Sequence, residues 1–258
     1  MRNTIVQVLC LACLVPFALG QQPQRSSPAW QDGGVREVVE GIVIPPIPNA
    51  PFTATLATET VKYAADGATM TAVNQRRIAR DTKGRVYEER WWLVPKNGRI
   101  KSKMNWIQIA DPKQLTLYNC STEKKICDLL VFDPTHALEA LVSGQKTRLG
   151  SRTDRDRTVT WEDLGHRNIA GVETVGTRET TVMFSGTMGN DQPLTFVSEY
   201  WHSQNLGINL SSVKTSPFFG KQTFTITDLT SGEPDPQLFE LPAGYKVNDQ
   251  RKDPQISH

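Results

Sequence analysis

The sequence predicts a mainly β protein, formed by a curved antiparallel sheet or unclosed β-barrel with one main helix and a short C-terminal helical turn. Segments that alternate apolar and polar residues recur over most of the chain and are separated by turns containing Gly, Pro or Asp. Only residues 133–144 show a convincing helical pattern. The total of about eleven predicted strands is more than an open sheet usually holds without curling, splitting or closing.

The alternation is clearest in residues 194–245. Three segments there have apolar residues at every second position, namely Leu194, Phe196, Tyr200, Ile208, Leu210, Phe224 and Ile226. One apolar and one hydroxyl-rich face are typical of a half-buried antiparallel sheet. Asp235 and Pro236 then predict the start of a short helical turn, which Pro242 ends and which presents Leu238 and Phe239 to the core.

The remaining elements follow from the same patterns. Strands are predicted at residues 54–63, 69–80, 85–94, 100–110, 115–120, 126–132, 158–164 and 172–183. The main helix begins at the N-cap Asp133 and ends at Gly144. Because one helix of about ten residues covers only part of one sheet face, we expect a concave apolar side that is incompletely covered.

The N-terminus predicts export. Residues 1–20 contain Arg2, a short apolar segment and the small-x-small site Ala18-Leu19-Gly20, as in a cleaved signal peptide. The apolar segment is shorter than the roughly 20 residues that span a bilayer. We therefore predict a signal peptide (1–20), a Pro-rich disordered leader and strap (21–51), a single antiparallel β domain (52–249) and a flexible tail (250–258). The expected location is the periplasm or the medium.

Charge argues against one class of partner. The formal net charge of +2 and the mixed signs of the charged run at residues 151–157 show no basic excess or basic stripe. Nucleic-acid binding normally requires one, so we predict no nucleic-acid partner. Peripheral contact with a membrane is compatible with this composition, and the oligomeric state is left open.

Cys120 and Cys127 are predicted to form a disulfide. They flank a turn-like segment and lie where hairpin partners meet, and an exported protein reaches an oxidising compartment. Closing a loop of this length contributes roughly 2.5 kcal/mol. A metal pair or a redox-active pair is the alternative. However, a metal needs two further ligands and His136 is only one nearby, whereas redox pairs usually have C-x-x-C spacing.

Catalytic patterns are not found in the sequence. His136-x-x-Glu139 lacks the second histidine of a zinc motif, and Glu88 and Glu89 point to opposite faces of one strand. We therefore predict no metal, cofactor or catalytic residue. A hydrolase of unfamiliar type centred on His166 or His202 is the least favoured alternative.

Four residues on apolar faces are the predicted ligand contacts. They are Met104 and Trp106, expected to face the same way, together with Phe196 and Tyr200. Core packing is the competing interpretation, because large apolar side chains are most often buried.

Two motifs carry a resemblance. The R-D-x-x-G-R hairpin at residues 80–85 and the terminal E-P-D-P-x-L-F-x-x-P-x-G-Y at residues 233–245 resemble those of an uncharacterised family of exported acidobacterial proteins. More distantly, the layout is similar to that of periplasmic lipoprotein-carrier and lipoprotein-sorting proteins. This second resemblance implies an unclosed β-barrel whose helices form a lid over an apolar cavity.

The leading hypothesis is therefore a non-catalytic envelope protein that binds a lipid, an acyl chain or a lipoprotein on the concave face of a half-barrel. The alternative is an envelope interaction or sensor module whose filled barrel is a scaffold.

Overall fold

The computed structural model describes residues 37–38, 42–97, 99–135 and 149–251. These residues belong to one compact unit, Val35–His258. The predicted signal peptide, most of the leader and the end of the tail lie outside the described residues, so these assignments remain predictions. The main helix predicted at residues 133–144 is not among the described elements, and residues 136–148 also lie outside the described part of the chain.

The described chain is almost entirely β-structure. Its strands are β1 (Glu37–Val38), β2 (Phe52–Tyr63), β3 (Thr69–Arg80), β4 (Val86–Lys96), β5 (Arg99–Asp111), β6 (Thr116–Ser121), β7 (Ile126–Val131), β8 (Gly150–Thr153), β9 (Arg157–Ile169), β10 (Val172–Met183), β11 (Leu194–Ser203), β12 (Ile208–Ser216), β13 (Gly220–Ser231) and β14 (Lys246–Asp249). A 3₁₀ helix, η1 (Pro236–Phe239), precedes β14.

The strands form one curved, unclosed sheet, as predicted. Its order is β14-β7-β6-β5-β4-β3-β2-β13-β12-β11-β10-β9-β8, and β1 pairs separately with β4. Neighbouring strands are antiparallel except for β14, which runs parallel to β7. The sequence pattern did not predict β14, which directly precedes the predicted tail (250–258).

The main apolar cluster lies on one face of the sheet, which we call the core face. Directly opposed residues of antiparallel strands share a face, and the register joins Tyr200, Ser212, Phe224, Thr58 and Asn74 in one row across five strands. The buried members of the cluster are Ile44, Phe52, Ala54, Leu56, Ile78, Val86, Ala110, Leu206, Ile208, Leu210, Phe224 and Ile226. This part of the core face is filled by the chain's own side chains.

A smaller cluster lies on the opposite face. It contains Ala79, Tyr87, Ile109 and Phe239, with Leu238 packed against it. The carboxylate of Asp235 accepts a hydrogen bond from the Gln237 amide and so caps η1. The prediction of a short helical turn that presents Leu238 and Phe239 to the core is confirmed: Phe239 is buried in this cluster and Leu238 is partly buried against it.

A buried arginine links three segments at one end of the core face, which we call the closed end because the main cluster fills it. Arg80 is fully buried, and its guanidinium donates to the carbonyl oxygens of Ala50 (3.0 and 2.8 Å), Pro45 (2.8 Å) and Leu206 (2.6 Å). Burial lowers the pKa of Arg80 to about 10, so it stays charged at neutral pH. The predicted strap and the β11–β12 turn are thereby tied to β3.

The two motifs that carried the resemblance meet in space. Asp81, fully buried, accepts hydrogen bonds from the amide and guanidinium of Arg85 (2.8 and 2.6 Å). The Arg85 guanidinium lies 4.7 Å from the centre of the Phe239 ring, and Glu233 accepts from the amide of Thr82 at 3.0 Å. The R-D-x-x-G-R hairpin and the C-terminal motif therefore form one structural unit.

The predicted disulfide between Cys120 and Cys127 is confirmed. The two residues are direct partners in the β6–β7 hairpin, and both are fully buried. The bond closes a short loop that joins β6 to β7.

Arg80→Lys should lower the free energy of unfolding by about 3 kcal/mol or more, because a lysine cannot reproduce a guanidinium fork bound to three carbonyls. Urea unfolding measures this. Arg77→Lys, an exposed position of the same strand, is the matched control and should change the value by less than about 0.5 kcal/mol. Equal effects of the two substitutions would contradict the role given to Arg80.

Replacing Cys120 and Cys127 together by alanine should lower the free energy of unfolding by about 2.5 kcal/mol, since the unfolded chain regains the freedom that the closed loop removes. Guanidinium unfolding of the wild type with and without reductant should show the same difference. A wild type that is insensitive to reductant would speak against a stabilising bond.

Candidate ligand-binding face

The structure divides the four predicted ligand contacts into two groups. Phe196 and Tyr200 lie on the same face of β11, whereas Trp106 lies on β5. Six strand spacings separate β5 from β11 in the sheet order, or about 29 Å along the sheet. The two groups therefore do not line one compact site along the surface of the sheet.

Met104 and Trp106 are further separated by a bulge. Trp106 is opposite Arg90, but Met104 is opposite Trp91, the next residue of β4, because the register shifts between Arg90 and Trp91. Consecutive strand residues point to opposite faces, and the common face that we expected for Met104 and Trp106 is not formed. The extra residue, Asn105, could not be read from the alternation alone.

Phe196 and Tyr200 belong to an aromatic surface on strands β9–β11. Glu179 of β10 is directly opposite Trp161 of β9 and Ser198 of β11. Trp161 therefore shares the core face with Phe196 and Tyr200, and its indole Nε1 donates to the Glu179 carboxylate at 2.9 Å. All three aromatic side chains are half-buried. We call Trp161, Phe196 and Tyr200 the aromatic surface.

The strands under the aromatic surface are held together from the opposite face. Arg178 of β10 contacts Glu199 of β11 (2.7 Å) and Glu162 of β9 (3.5 Å). These hydrogen bonds and charges raise the pKa of Arg178. Exposed ion pairs contribute little energy, but this one contacts residues of all three strands on the face opposite the rings.

The core face between the two groups differs from the apolar trough that the sequence led us to expect. Near β2 and β13 it is filled, and across β3–β5 it carries buried charges. The Arg90 guanidinium contacts the Glu88 carboxylate (3.2 Å) and donates to the Gln108 amide oxygen (2.6 Å). Arg76 lies nearby and donates to Asn74 at 3.3 Å. This cluster was not predicted from the sequence, because arginine and glutamate usually occupy exposed positions.

Burial dominates the electrostatics of the charged cluster. It raises the pKa of Glu88, an effect opposed by the positive charges of Arg90 and Arg76. Burial also lowers the pKa of Arg76 to about 10, against the attraction of Glu88. One signal in the sequence could have indicated this cluster. Asn74, Arg76 and Arg80 occupy alternate positions of β3, which share a face with the apolar Ile78.

The two candidate catalytic histidines are not arranged as a catalytic pair. Both are opposite Val175 of β10, so a whole strand lies between them. The exposed His166 contacts Glu173 at 2.9 Å, and the half-buried His202 contacts Asn209 at 3.1 Å. Burial lowers the pKa of His202, although the hydrogen bond to Asn209 opposes this. Neither described contact involves a nucleophile.

The rest of the described chain was compared with the requirements of a metal site, a pocket and a membrane-spanning helix. Among the described residues, no group of three or more His, Cys, Asp or Glu side chains could hold a metal ion. A depression of about 240 Å³ is lined by Lys83, Arg85, Asp111, Lys113 and Gln114. Within the described part of the chain, no helix has the length and apolar character needed to cross a membrane.

Comparison with known proteins finds distant structural similarity only. No protein-family model matches the chain, and no curated protein matches it in sequence. In structure the chain is distantly similar to lipoprotein-carrier half-barrel proteins, as the sequence resemblance implied.

Three solved structures illustrate this similarity. An uncharacterized conserved protein from Thermus thermophilus has 10% identity and a TM-score of 0.38, over 78% of this chain and 91% of the other. The Mycobacterium tuberculosis lipoprotein LppX has 10% identity and a TM-score of 0.29, over 75% and 90%. In the Pseudomonas aeruginosa MucA/MucB complex, the match has 14% identity and a TM-score of 0.35, and it covers 77% of this chain but only 58% of that one.

The buried Glu88 should make stability depend on pH. Its pKa is raised in the folded state above the ordinary value of 4.5, so the unfolded chain releases this proton first. The contribution of Glu88 is therefore fully present below that value and decreases as pH rises toward the raised pKa. Relative to Glu88→Gln, the wild type should lose stability as pH rises above 4.5 and through the raised pKa of Glu88.

Chemical unfolding at a series of pH values measures this difference. Glu123→Gln, in an exposed turn, controls for the loss of a carboxylate. A difference between wild type and Glu88→Gln that stays constant, or that grows in favour of the wild type at high pH, would be inconsistent with a raised pKa.

Proposed function

We propose that this protein is a non-catalytic, exported envelope protein that binds a lipid, an acyl chain or a lipoprotein on the aromatic surface. The observation that carries the proposal is that Trp161, Phe196 and Tyr200 share one face of β9–β11 and remain half-buried. Elsewhere on the core face, the large apolar side chains of the main cluster are buried. Apolar ligand surface would complete the burial of these rings.

The energetics favour an acyl chain over a polar ligand. Completing the burial of a half-exposed aromatic ring contributes on the order of 1 kcal/mol or more. Glu179, the carboxylate among the rings, already accepts a hydrogen bond from Trp161, and the other polar neighbours directly opposite the rings or Glu179 are the hydroxyl groups of Thr177, Thr181 and Ser198. A charged ligand would meet the carboxylate of Glu179, whereas a flexible acyl chain needs only contact with the rings.

The export part of the proposal rests on the sequence. The pattern of residues 1–20 is typical of a cleaved signal peptide, and a buried disulfide fits an oxidising compartment. Both point to the periplasm or the medium, where an acyl chain needs a carrier to cross water.

Displacement of a fluorescent fatty acid tests the proposal. The full chain should bind the probe, and an unlabelled long-chain fatty acid should compete with it. Phe196→Ala or Tyr200→Ala should weaken binding about tenfold, as expected for the loss of one ring's apolar contact. Val197→Ala, the next residue of β11 on the opposite face, is the matched control and should bind like the wild type.

Failure to bind the probe, or equal losses in Phe196→Ala and Val197→Ala, would overturn the assignment. Trp106→Ala and Met104→Ala test the other predicted contacts in the same assay. Native mass spectrometry of the protein released from its own envelope should show a lipid-sized adduct.

The filled part of the core face supports a second candidate, a scaffold for protein interaction. Ile44 and Leu206 close the end of the main cluster, and Arg80 fastens the segments that carry them. If the chain is an interaction module, crosslinking in the envelope should capture one defined protein while the adduct and the probe binding are both absent.

A further inference from the structure

The β12–β13 hairpin exposes two adjacent aromatic rings at its tip. Phe218 and Phe219 are 54% and 69% exposed, and their ring centres are 6.4 Å apart. Tips of hairpins normally contain Gly, Asn, Asp or Ser, because these residues tolerate tight turns and water. A pair of exposed phenylalanines at such a position is costly in water and needs an explanation.

The turn holds the two rings in place. The Ser216 hydroxyl accepts hydrogen bonds from the amides of Phe218 (3.2 Å) and Phe219 (3.4 Å). Gly220 follows at φ +76°, and a Cβ there would lie 2.0 Å from the carbonyl oxygen of Val61. The tip is therefore packed against β2 and has a defined conformation, so the exposure of the rings is built into the fold.

The neighbouring tips add further exposed apolar side chains. In the sheet order β3-β2-β13-β12-β11-β10, the β2–β3 and β10–β11 turns lie on either side of the β12–β13 turn, at the same end of the sheet. They carry Tyr63, Met70, Phe184 and Met188, which are all exposed. We call these three turns the apolar rim. The main core cluster lies toward the other end of these strands.

The residues around the rim have a small excess of positive charge. The exposed Lys214 and Lys221 lie on either side of the two phenylalanines. Over residues 62–70, 183–194 and 214–222 there are three lysines, including Lys62, against two aspartates. Exposed aromatic and thioether side chains with lysines beside them are typical of segments that enter the interface of a membrane with anionic lipids.

We propose that the apolar rim docks this protein onto the surface of an anionic lipid bilayer, with Phe218 and Phe219 inserted among the headgroups. The rim is continuous with the aromatic surface, because the rings of Phe196 and Phe218 are 5.9 Å apart. The inference goes beyond the proposed function: docking does not require a ligand, and ligand binding does not require docking.

Co-sedimentation with vesicles tests the docking. The full chain should bind phosphatidylcholine vesicles that contain phosphatidylglycerol, and it should bind pure phosphatidylcholine vesicles more weakly. Phe219→Ser should weaken binding about tenfold. Val131→Ser, which changes a similarly exposed apolar residue outside the rim, should leave binding unchanged.

Charge variants separate the electrostatic part. Lys221→Glu should weaken binding to the anionic vesicles by about fivefold or more, and added salt should reduce the difference. Lys113→Glu, at an exposed lysine outside the rim, is the matched control. Quenching by brominated lipids of a tryptophan introduced as Phe219→Trp should report its insertion.

Several outcomes would overturn the proposal. They are no vesicle binding, equal losses for Phe219→Ser and Val131→Ser, or binding that is indifferent to lipid charge. Concentration-dependent dimerisation that Phe219→Ser abolishes, without vesicle binding, would assign the rim to a second copy of the chain. Tyr200→Ala should weaken binding of the fatty-acid probe but not binding to vesicles. Phe219→Ser should weaken binding to vesicles but not binding of the probe, so each proposal can fail separately.

Discussion

The fold depends on the hydrogen bonds of one buried cation. The Arg80 guanidinium binds carbonyl oxygens of the strap and of the β11–β12 turn, segments far apart in the sequence. Backbone carbonyls can accept from a cation without adding a charge, so Arg80 is buried with no carboxylate among its described bonds. The cost of removing a guanidinium from water is offset only while all of these carbonyls stay in place. The strap, the turn and β3 are therefore ordered together, and they close one end of the core face.

The hairpin that follows Arg80 connects this closed end to the other side of the sheet. Asp81 and Arg85 hold the hairpin, and Arg85 and Thr82 contact the C-terminal motif through Phe239 and Glu233. The main cluster on one face and the second cluster on the other are thus coupled at residues 80–85. Since β2–β6, β12 and β13 supply most of the buried apolar residues, β9–β11 contribute little to the core. Rings on these strands can remain half-buried without weakening the rest of the fold.

The aromatic surface and the apolar rim are continuous, so one physical argument applies to both. An acyl chain is stable in a bilayer or against apolar side chains, but its exposure to water costs about 0.8 kcal/mol per CH₂ group. A rim that enters the headgroup region and adjoins the aromatic surface through Phe196 and Phe218 would shorten the path through water. The closed end lies away from this rim. It supplies stability, while the end with the rim stays available for contact with a ligand or a membrane.

The sequence by itself determined the elements whose signals are local. Alternation in residues 194–227 predicted the strands, Asp235-Pro236 predicted η1, and the spacing of Cys120 and Cys127 predicted their bond, because each depends on neighbours within a few residues. Tertiary structure alone decided the rest. The bulge at Asn105 separated Met104 from Trp106, and the sheet order placed Trp106 far from Tyr200. The burial of Arg80 and Glu88 depended on partners brought together only by folding. Strand order and the partners of the buried charges are set by long-range contacts, which a local pattern of residues does not encode.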